Sequence, residues 1–461
     1  MSILAAYMVP HPPMIVPAVG RGSEEQIEAT IQAYEKAALD IAELKPETII
    51  ISSPHSIMYH DYFHISPGKG ASGSFRNFRA PEVKFDETYD TELVREICAI
   101  AEAESFPAGT LGERDKSLDH GTMVPLYFIR KYYTEGKIIR IGLSGQPLED
   151  HYRLGQIVRD AAEYLGRRVV WVASGDLSHK LQEYGPYGFA PEGPEYDRKL
   201  MEACSAGDFG ALLEFSESFC DKAAECGHRS FVMMAGALDG RSVEAEQLSH
   251  EDVTGVGYGI CIFRPGAPDP ERCYLDILQK RREEELTRKA GQSDAYVRLA
   301  RASVEHYVRT GKRLSMPEDL PEELTGRRAG AFVSLHKNGN LRGCIGTIGP
   351  VRSNLAEEIL ETAVSAASRD PRFDPVRTEE LPLLEISVDV LGEPEPIESK
   401  DQLDVHRYGV IVTSGFRRGL LLPDLEGVDT VEDQIGIAMR KAGIRPGEKV
   451  SLQRFEVVRH Y

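Results

Sequence analysis

The chain has 461 residues, more than one hydrophobic core ordinarily serves, so two or more domains are expected. Hydrophobic residues (41%) and charged residues (28%) occur in the proportion typical of a soluble globular protein. A formal charge of −19 argues against non-specific nucleic-acid binding, and no apolar run approaches the roughly 20 residues that span a bilayer.

The seven cysteines are scattered without close pairs, which is not the pattern of a disulfide framework. Reduced thiols are typical of a reducing compartment. The first residues lack the basic segment and apolar stretch of a secretory signal. We therefore expect a cytoplasmic protein.

Apolar runs and helical periodicities alternate along the first part of the chain. In chain order we predict strand 3–8, helix 23–43, strands 47–53 and 61–66, helices 90–104 and 122–134, strand 137–143, helix 148–165, strand 168–174, helices 195–205 and 229–238, and strand 257–263. This alternation is typical of an α/β domain with a mostly parallel sheet covered by helices. Ligands of such domains bind beyond the carboxyl ends of the strands.

The segment 264–270 holds three prolines and a glycine, a composition that cannot continue a helix or a central strand. We therefore expect the first domain to comprise residues 1–264. The highly charged residues 279–289 predict a solvated helix within a linker at 265–289. A second domain would then cover residues 290–461.

Four histidines occupy related positions in the first domain. His11, His55 and His179 each follow a predicted strand, and His120 lies where a loop opens a helix. Because the carboxyl ends of parallel strands share one edge, we expect these side chains to converge. A single loop histidine is more often structural, but packing explains this joint placement poorly. Imidazole binds metal ions and serves as an acid or base near neutral pH.

A third metal ligand is expected just before the predicted helix 229–238, where Glu225 and Cys226 are neighbours. The positive end of a helix dipole lowers the pKa of a nearby thiol and favours thiolate. Chemistry alone leaves a second interpretation open, in which Cys226 is a small buried residue and Glu225 a charge in the first helical turn.

These motifs together resemble the LigB-like class III extradiol dioxygenases and their Memo relatives. The matching pieces are His-Pro-Pro at 11–13, Ser-Pro-His-Ser at 53–56, Asp-His-Gly at 119–121 and Ser-Gly-Asp-Leu-Ser-His at 174–179. The resemblance covers residues 1–264. Each motif alone is weak evidence for this family, whereas the four motifs in this order are specific to it.

The resemblance implies that His11 and His55 bind a divalent metal ion. Fe(II) is the first expectation, and zinc or copper are the alternatives. Ring-cleaving members complete the site with a glutamate, whereas Cys226 followed by glycine resembles Memo proteins. Cys226 is therefore the preferred third ligand and Glu225 the substitute.

The remaining motif residues are implied to act on the substrate, a small aromatic or other chelating molecule. His179 resembles the acid–base histidine and His120 its partner near the substrate, while Asp176 would orient His179 or contact the metal shell.

The cysteine in place of a carboxylate leaves two alternatives to an oxidoreductase. One is a Memo-type adaptor that holds a metal or peptide without turnover, and the other is a zinc-dependent hydrolase.

Residues 290–461 resemble the AMMECR domain family, which implies a smaller α+β fold. The matching pieces are 341–347 (LRGCIGT), 368–375 (SRDPRFDP) and a strand at 384–391. Cys344 is a candidate nucleophile with Arg342 lowering its pKa, although a packed cysteine in a glycine-bearing strand is the favoured interpretation. Candidate anion contacts are Arg342, Arg369 and Arg372, and His406 is a further lone candidate.

The fusion of these two domains resembles the AmmeMemoRadiSam system, whose third member is a radical SAM protein. This chain lacks the Cys-x₃-Cys-x₂-Cys motif of that member, so the resemblance implies a separately encoded radical SAM partner. We expect a small-molecule substrate and neither a nucleic-acid nor a membrane partner. A homo-oligomer is left open.

Overall fold

A computed structural model describes residues 2–113, 117–337, 340–425 and 427–461. The chain divides into two compact units, Met1–Leu278 and Gln279–Tyr461. Helix α9 (Tyr274–Gln292) contains the boundary and includes the charged segment predicted to be helical. Among the described residues, no helix has both the length and the apolar character needed to cross a membrane.

The first unit is built around a mostly parallel sheet. Its strands are β1 (Ile3–Val9), β2 (Thr48–Ser53), β3 (Phe63–His64), β4 (Gly70–Phe75), β5 (Ala80–Thr88), β6 (Ala108–Gly109), β7 (Lys137–Gly142), β8 (Val169–Ser174), β9 (Arg241–Glu251) and β10 (Tyr258–Pro268). In the described chain six of them form the central sheet, in the order β7-β2-β8-β1-β10-β9. The four strands from β7 to β1 run parallel, and β10 and β9 are antiparallel additions at one side.

Helices cover both faces of this sheet. They are α1 (Pro17–Gly20), α2 (Glu28–Leu44), α3 (Thr91–Ala103), α4 (His120–Tyr132), α5 (Leu148–Leu165), α6 (Glu192–Ala206), α7 (Glu217–Ala223) and α8 (His228–Ala237). Ile50 and Trp171 pack with α3, α5 and α8 on one face, whereas Ile49 and Val170 pack with α2 and α4 on the other. Both faces of β2 and β8 are therefore buried, which explains the apolar runs 49–51 and 169–173 within them. The predicted α/β architecture is confirmed.

Two local predictions for this unit are wrong. The strand predicted at 61–66 shortens to β3, which pairs with β6 in a separate small sheet. The prolines after Arg264 do not end the last strand, because β10 continues to Pro268. The partner there is β9, at the outer side of the sheet, since β1 pairs with β10 only at Cys261–Phe263. An outer strand tolerates the missing proline N–H groups.

The second unit is α+β, as expected. Its helices are α10 (Ala295–Thr310), α11 (Glu322–Thr325), α12 (Leu355–Ser368) and α13 (Val431–Lys441), and its strands are β11 (Ala331–Lys337), β12 (Asn340–Gly346), β13 (Leu384–Leu391), β14 (Glu395–Ile397), β15 (Tyr408–Ser414), β16 (Arg417–Leu421) and β17 (Ser451–His460). The strands form an antiparallel sheet in the order β12-β11-β13-β17-β15-β16, with β14 beside β17. Helices α10 and α12 bury one face of β11 and β13.

Candidate metal centre

Strand register brings the histidine-bearing loops to one edge of the parallel sheet. Val9 at the end of β1 is aligned with Ser174 at the end of β8, and β2 ends beside them at Ser53. His11 and His55 each lie two residues past a strand end, so both leave the same edge. The convergence predicted from parallel topology therefore follows from the observed register.

His11 is buried, and its hydrogen bonds determine which ring nitrogen faces the site. Ser174 Oγ donates its single proton to the carbonyl of Gly121 (2.6 Å), so it must accept the bond from His11 Nδ1 at 3.0 Å. Nδ1 consequently carries the hydrogen, and His11 Nε2 keeps its lone pair. Burial lowers the pKa of His11 well below its ordinary value, and nearby His55 lowers it further, so the ring is neutral.

The Nε2 atoms of His55 and His11 lie 3.0 Å apart, with their rings close to perpendicular. Two hydrogen bonds fix the loop that carries His55. The backbone N–H of His55 donates to Ser53 Oγ, and Ser53 Oγ donates to Asp119. Two nitrogens bound to one ion at about 2.1 Å and about 90° to each other would be about 3.0 Å apart. The spacing of the two histidines fits a shared ion.

Cys226 completes a set of three donor atoms. Its Sγ lies 3.6 Å from His11 Nε2, and the ligand atoms of His11, His55 and Cys226 all lie within 4.8 Å of one another. The backbone N–H of Asp176 donates to this sulfur at 3.3 Å. Two imidazoles and a thiol form a donor set suited to iron or zinc, so these residues fit a transition metal.

The expectation that the following helix lowers the pKa of Cys226 is corrected. Burial raises the pKa of this thiol well above its ordinary value, and the neighbouring carboxyl groups of Asp176 and Glu225 raise it further. The effect of the helix dipole is confined to the first turn of α8, which begins at His228, two residues after Cys226. A bound cation would supply the positive charge that thiolate formation needs here.

Glu225, the substitute ligand, has a different role in the structure. Its carboxyl group accepts a hydrogen bond from the backbone N–H of His228 at 2.6 Å, which caps the start of α8. Burial raises the pKa of Glu225 to about 7. Among the described residues, it joins no cluster of metal-binding geometry. The structure thus brings Cys226, and not Glu225, to the two histidines.

Asp176 and His179 line the same space. Asp176 Oδ1 accepts the backbone N–H of His11 at 2.7 Å, and its Oδ2 lies 4.0 Å from the Nε2 atoms of both His11 and His179. Burial raises the pKa of Asp176 to about 6. His179 Nε2 is buried and has no hydrogen-bond partner within the described chain, and its ring stacks on Tyr187. An unsatisfied buried nitrogen of this kind indicates a ligand position.

His120 begins α4 and packs its ring against His55, with 4.0 Å between the ring centroids. Burial lowers its pKa to about 3, with His55 as the next contribution. Asp119 caps this helix and also accepts the Ser53 hydroxyl, which links the His120 and His55 loops. Burial raises the pKa of Asp119, but the bond from Ser53 and the charge of Arg140 outweigh it and keep the group ionised.

Sequence reasoning missed three residues that position the site: Ser174, Ser53 and Asp119. Each is the first residue of a recognised motif to which no role was assigned, at the last position of β8, at the last position of β2 and directly before His120. A hydroxyl at the end of a buried apolar strand, where a packed methyl group would be expected, was the signal that could have identified the two serines.

The candidate residues of the second unit do not form one cluster. Arg342 makes a two-pronged ion pair with Glu380 (2.9 Å for both bonds) and donates to the carbonyl of Asp374. It is therefore a structural group, not a partner of Cys344. Arg372 instead lies near Cys344, donating to its carbonyl at 3.3 Å while paired with Asp370.

The expectation that a guanidinium lowers the pKa of Cys344 is likewise corrected. Burial raises the pKa of this thiol, and the bond from Ser334 and the charge of Arg372 reduce that shift without reversing it. Arg369 pairs with Glu361 at the surface, and exposed His406 lies 3.1 Å from Asp424. These contacts account for both side chains without a ligand.

Comparison with known proteins identifies the family. Residues 5–261 match the family model described as the catalytic LigB subunit of aromatic ring-opening dioxygenase. The chain belongs to the LigB family. Protein CA_C1420 of Clostridium acetobutylicum is 43% identical to it over 468 residues, which cover 100% of this chain and 99% of that protein.

The remainder of this LigB-family chain matches a second model. Residues 297–460 match AMMECR1. A protein of Thermotoga maritima is 54% identical over 167 residues, which are 36% of this chain and 96% of that protein. Among solved structures, the uncharacterised protein PH0010 of Pyrococcus horikoshii aligns at a TM-score of 0.34 and 36% identity, over 36% of this chain and 88% of that one. The expected fusion of a LigB-like domain with an AMMECR domain is confirmed.

Proposed function

We propose that the unit Met1–Leu278 is a metal-dependent enzyme of the ring-opening dioxygenase type that acts on a small aromatic or other chelating substrate. Membership of the LigB family fits a metal cofactor. The observation that carries the proposal is the meeting of His11, His55 and Cys226, whose ligand atoms lie within 4.8 Å of one another. We propose Fe(II) as the native ion.

Bound Fe(II) would supply Lewis acidity toward substrate oxygens and one-electron chemistry toward dioxygen. His11 and His55 would present neutral Nε2 lone pairs to the ion. The bond from His11 Nδ1 to Ser174 keeps that tautomer, and the backbone bond from His11 to Asp176 holds the loop in place.

His179 would accept a proton from the substrate and later return it. Burial lowers its pKa, so the ring is neutral at pH 7 and its unpartnered Nε2 can accept a proton from a substrate hydroxyl. Asp176, 4.0 Å away, would stabilise the resulting imidazolium and allow the proton to be returned. Neutral His120 would hydrogen-bond the substrate from the opposite side, beside His55.

The test is anaerobic purification followed by Fe(II) loading and exposure to catechol and air. We expect oxygen uptake and a ring-opened product, with metal and turnover both lost in His11→Ala and in His55→Ala. His179→Gln should keep the metal and lose turnover, while His306→Gln, in the second unit, serves as the control. Retained turnover in both alanine variants would refute the proposal.

Cys226 favours a second candidate, a metal-holding adaptor without turnover. Its thiol stands where ring-cleaving members use a carboxylate, and burial keeps its pKa high. Tight Fe(II) binding without oxygen uptake, together with ring cleavage gained by Cys226→Glu, would select the adaptor.

Stoichiometric zinc in the anaerobically purified protein, with ester hydrolysis and no oxygen uptake, would select a hydrolase. The separately encoded radical SAM partner stays a prediction.

A further inference from the structure

The second unit contains a cavity of about 1420 Å³, and all the described residues that line it lie beyond residue 285. Its floor is the sheet face opposite the one that α10 and α12 bury. Strand register places Ser334 of β11 between Cys344 of β12 and Ser387 of β13. Ser334 Oγ donates to Cys344 Sγ at 3.2 Å. A polar, thiol-bearing sheet face thus forms the base of a large cavity.

One side of the cavity is apolar. Phe332, Ile348 and Leu425 pack there against Leu420 and Leu422, and all five line the space. The volume exceeds what a typical drug-sized ligand fills. An apolar wall beside a polar floor is suited to a molecule with a hydrophobic body and a polar head.

Among the described residues, one cation of the cavity lining has no carboxylate partner. Of the described carboxylates in the lining, Asp370, Glu385 and Asp389 pair with Arg372 (2.7 Å), Lys289 (3.1 Å) and Arg459 (2.7 Å). Asp424 lies 3.1 Å from His406, and Arg301 of the lining lies 3.9 Å from Glu305. Lys441, at the end of α13, also lines the cavity and has no ion-pair partner in the part of the chain that the structure describes.

Lys441 and Arg372 both line the cavity, and both interact electrostatically with Cys344. Desolvation lowers the pKa of Lys441, Cys344 opposes that shift, and the positive charge of Arg372 lowers the pKa further. Arg372 is already paired with Asp370, whereas the Lys441 ammonium has no carboxylate partner among the described residues, so a bound anion would give it one. The polar head that this position favours is therefore negatively charged.

We propose that this cavity is a binding site for a small organic anion with an apolar body, whose carboxylate or phosphate head lies between Lys441 and Arg372 beside Cys344. The apolar body lies along Phe332, Leu420 and Leu422. Nothing in this proposal depends on the metal centre, since all of its residues belong to the second unit.

The test measures alkylation of Cys344 by iodoacetamide in the full-length protein, resolved by peptide mass spectrometry. Octanoate and octyl phosphate are the probes, and octanol is the neutral molecule of equal chain length. We expect at least one anion to slow alkylation of Cys344 at a concentration about tenfold below that at which octanol acts, the size of one charge-assisted hydrogen bond. Protection by octanoate alone identifies a carboxylate site, and protection by octyl phosphate alone a phosphate site.

Variants test the role of the cation. Lys441→Met should weaken protection about tenfold, whereas Lys312→Met, at an exposed position of the same unit, should leave it unchanged. Alkylation of Cys98 in the first unit should not respond to either anion. Equal protection by octanol, absence of protection by both anions, or unchanged protection in Lys441→Met would overturn the proposal. The comparison with octanol needs no variant, so it holds even if Lys441→Met fails to fold.

Discussion

Ser174 Oγ accepts the Nδ1 hydrogen of His11 at 3.0 Å and donates its own to the carbonyl of Gly121 at 2.6 Å. A hydroxyl has one proton, so the second bond determines the direction of the first. The serine therefore sets the tautomer of a buried histidine whose other nitrogen faces His55 and Cys226. Outer contacts of this kind orient metal-binding histidines in many proteins.

Ser174→Ala is expected to weaken Fe(II) or zinc affinity about 10- to 100-fold without abolishing the fold, because the Nδ1 tautomer loses its acceptor. Affinity is measured by competition with a chelator. Fluorescence of Trp171, the single tryptophan, reports the folding of the same unit. Ser205→Ala, at an exposed position, is the matched control. Equal affinities in the two variants would contradict the tautomer argument.

The structure separates the two candidate third ligands. Cys226→Ala should abolish stoichiometric metal binding, because it removes one of three converging donor atoms. Glu225→Ala should keep the stoichiometry and instead lower the free energy of unfolding by about 1 kcal/mol, through loss of the cap on α8. Metal analysis and urea unfolding followed by Trp171 fluorescence measure both effects. Loss of metal in Glu225→Ala with retention in Cys226→Ala would reverse the assignment.

His151 predicts a pH dependence of stability for the first unit. It is fully buried and neutral, with Nδ1 donating to the carbonyl of Pro147 and Nε2 accepting from the backbone N–H of Ser144. Burial lowers its pKa from 6.5 to about 3. Between these values the unfolded chain binds a proton that the folded chain does not, so stability is complete above pH 6.5 and is lost as pH falls toward 3.

His151→Gln should make this dependence shallower, by up to about 1.4 kcal/mol per pH unit, the contribution of one proton. Urea unfolding at several pH values between 4 and 7, followed by Trp171 fluorescence, measures the slope. His306→Gln, in the second unit, should leave the slope unchanged. A slope that is identical in wild type and His151→Gln would show that this histidine does not contribute.

Arg342 is expected to stabilise the second unit. It is largely buried with Glu380, whose pKa is about 2 because the bonds from Arg342 and Lys337 outweigh the effect of burial. Arg342→Met should destabilise this unit by about 2 to 3 kcal/mol, since it leaves a carboxylate without its main partner. Hydrogen exchange of β12 measures the change. Arg369→Met, which breaks an exposed pair, should cost less than about 1 kcal/mol, and equal effects would argue against a special role for Arg342.

Local pattern was sufficient for the parallel sheet and for the edge where the histidines meet. Strands β1, β2 and β8 are short apolar runs that end at polar or turn-forming residues, so their ends are readable from neighbours in sequence. Parallel pairing then aligns Val9 with Ser174 and Ser52 with Ala173, so that the three strands end at the same edge. The small strand β3 was overpredicted, because its short apolar pattern does not show that its partner would be β6 outside the main sheet.

The sequence alone determined that His11, His55, His120 and His179 lie at one sheet edge, and that an α+β domain follows. Only the tertiary structure decided that Cys226 faces the histidines while Glu225 caps α8, that Ser174 orients His11, and that Arg342 pairs with Glu380. The physical reason is the distance along the sequence over which each property is determined. Strand ends depend on residues within one run, whereas side-chain direction and ionisation depend on partners such as Ser174, which is 163 positions from His11 and reaches it only after folding.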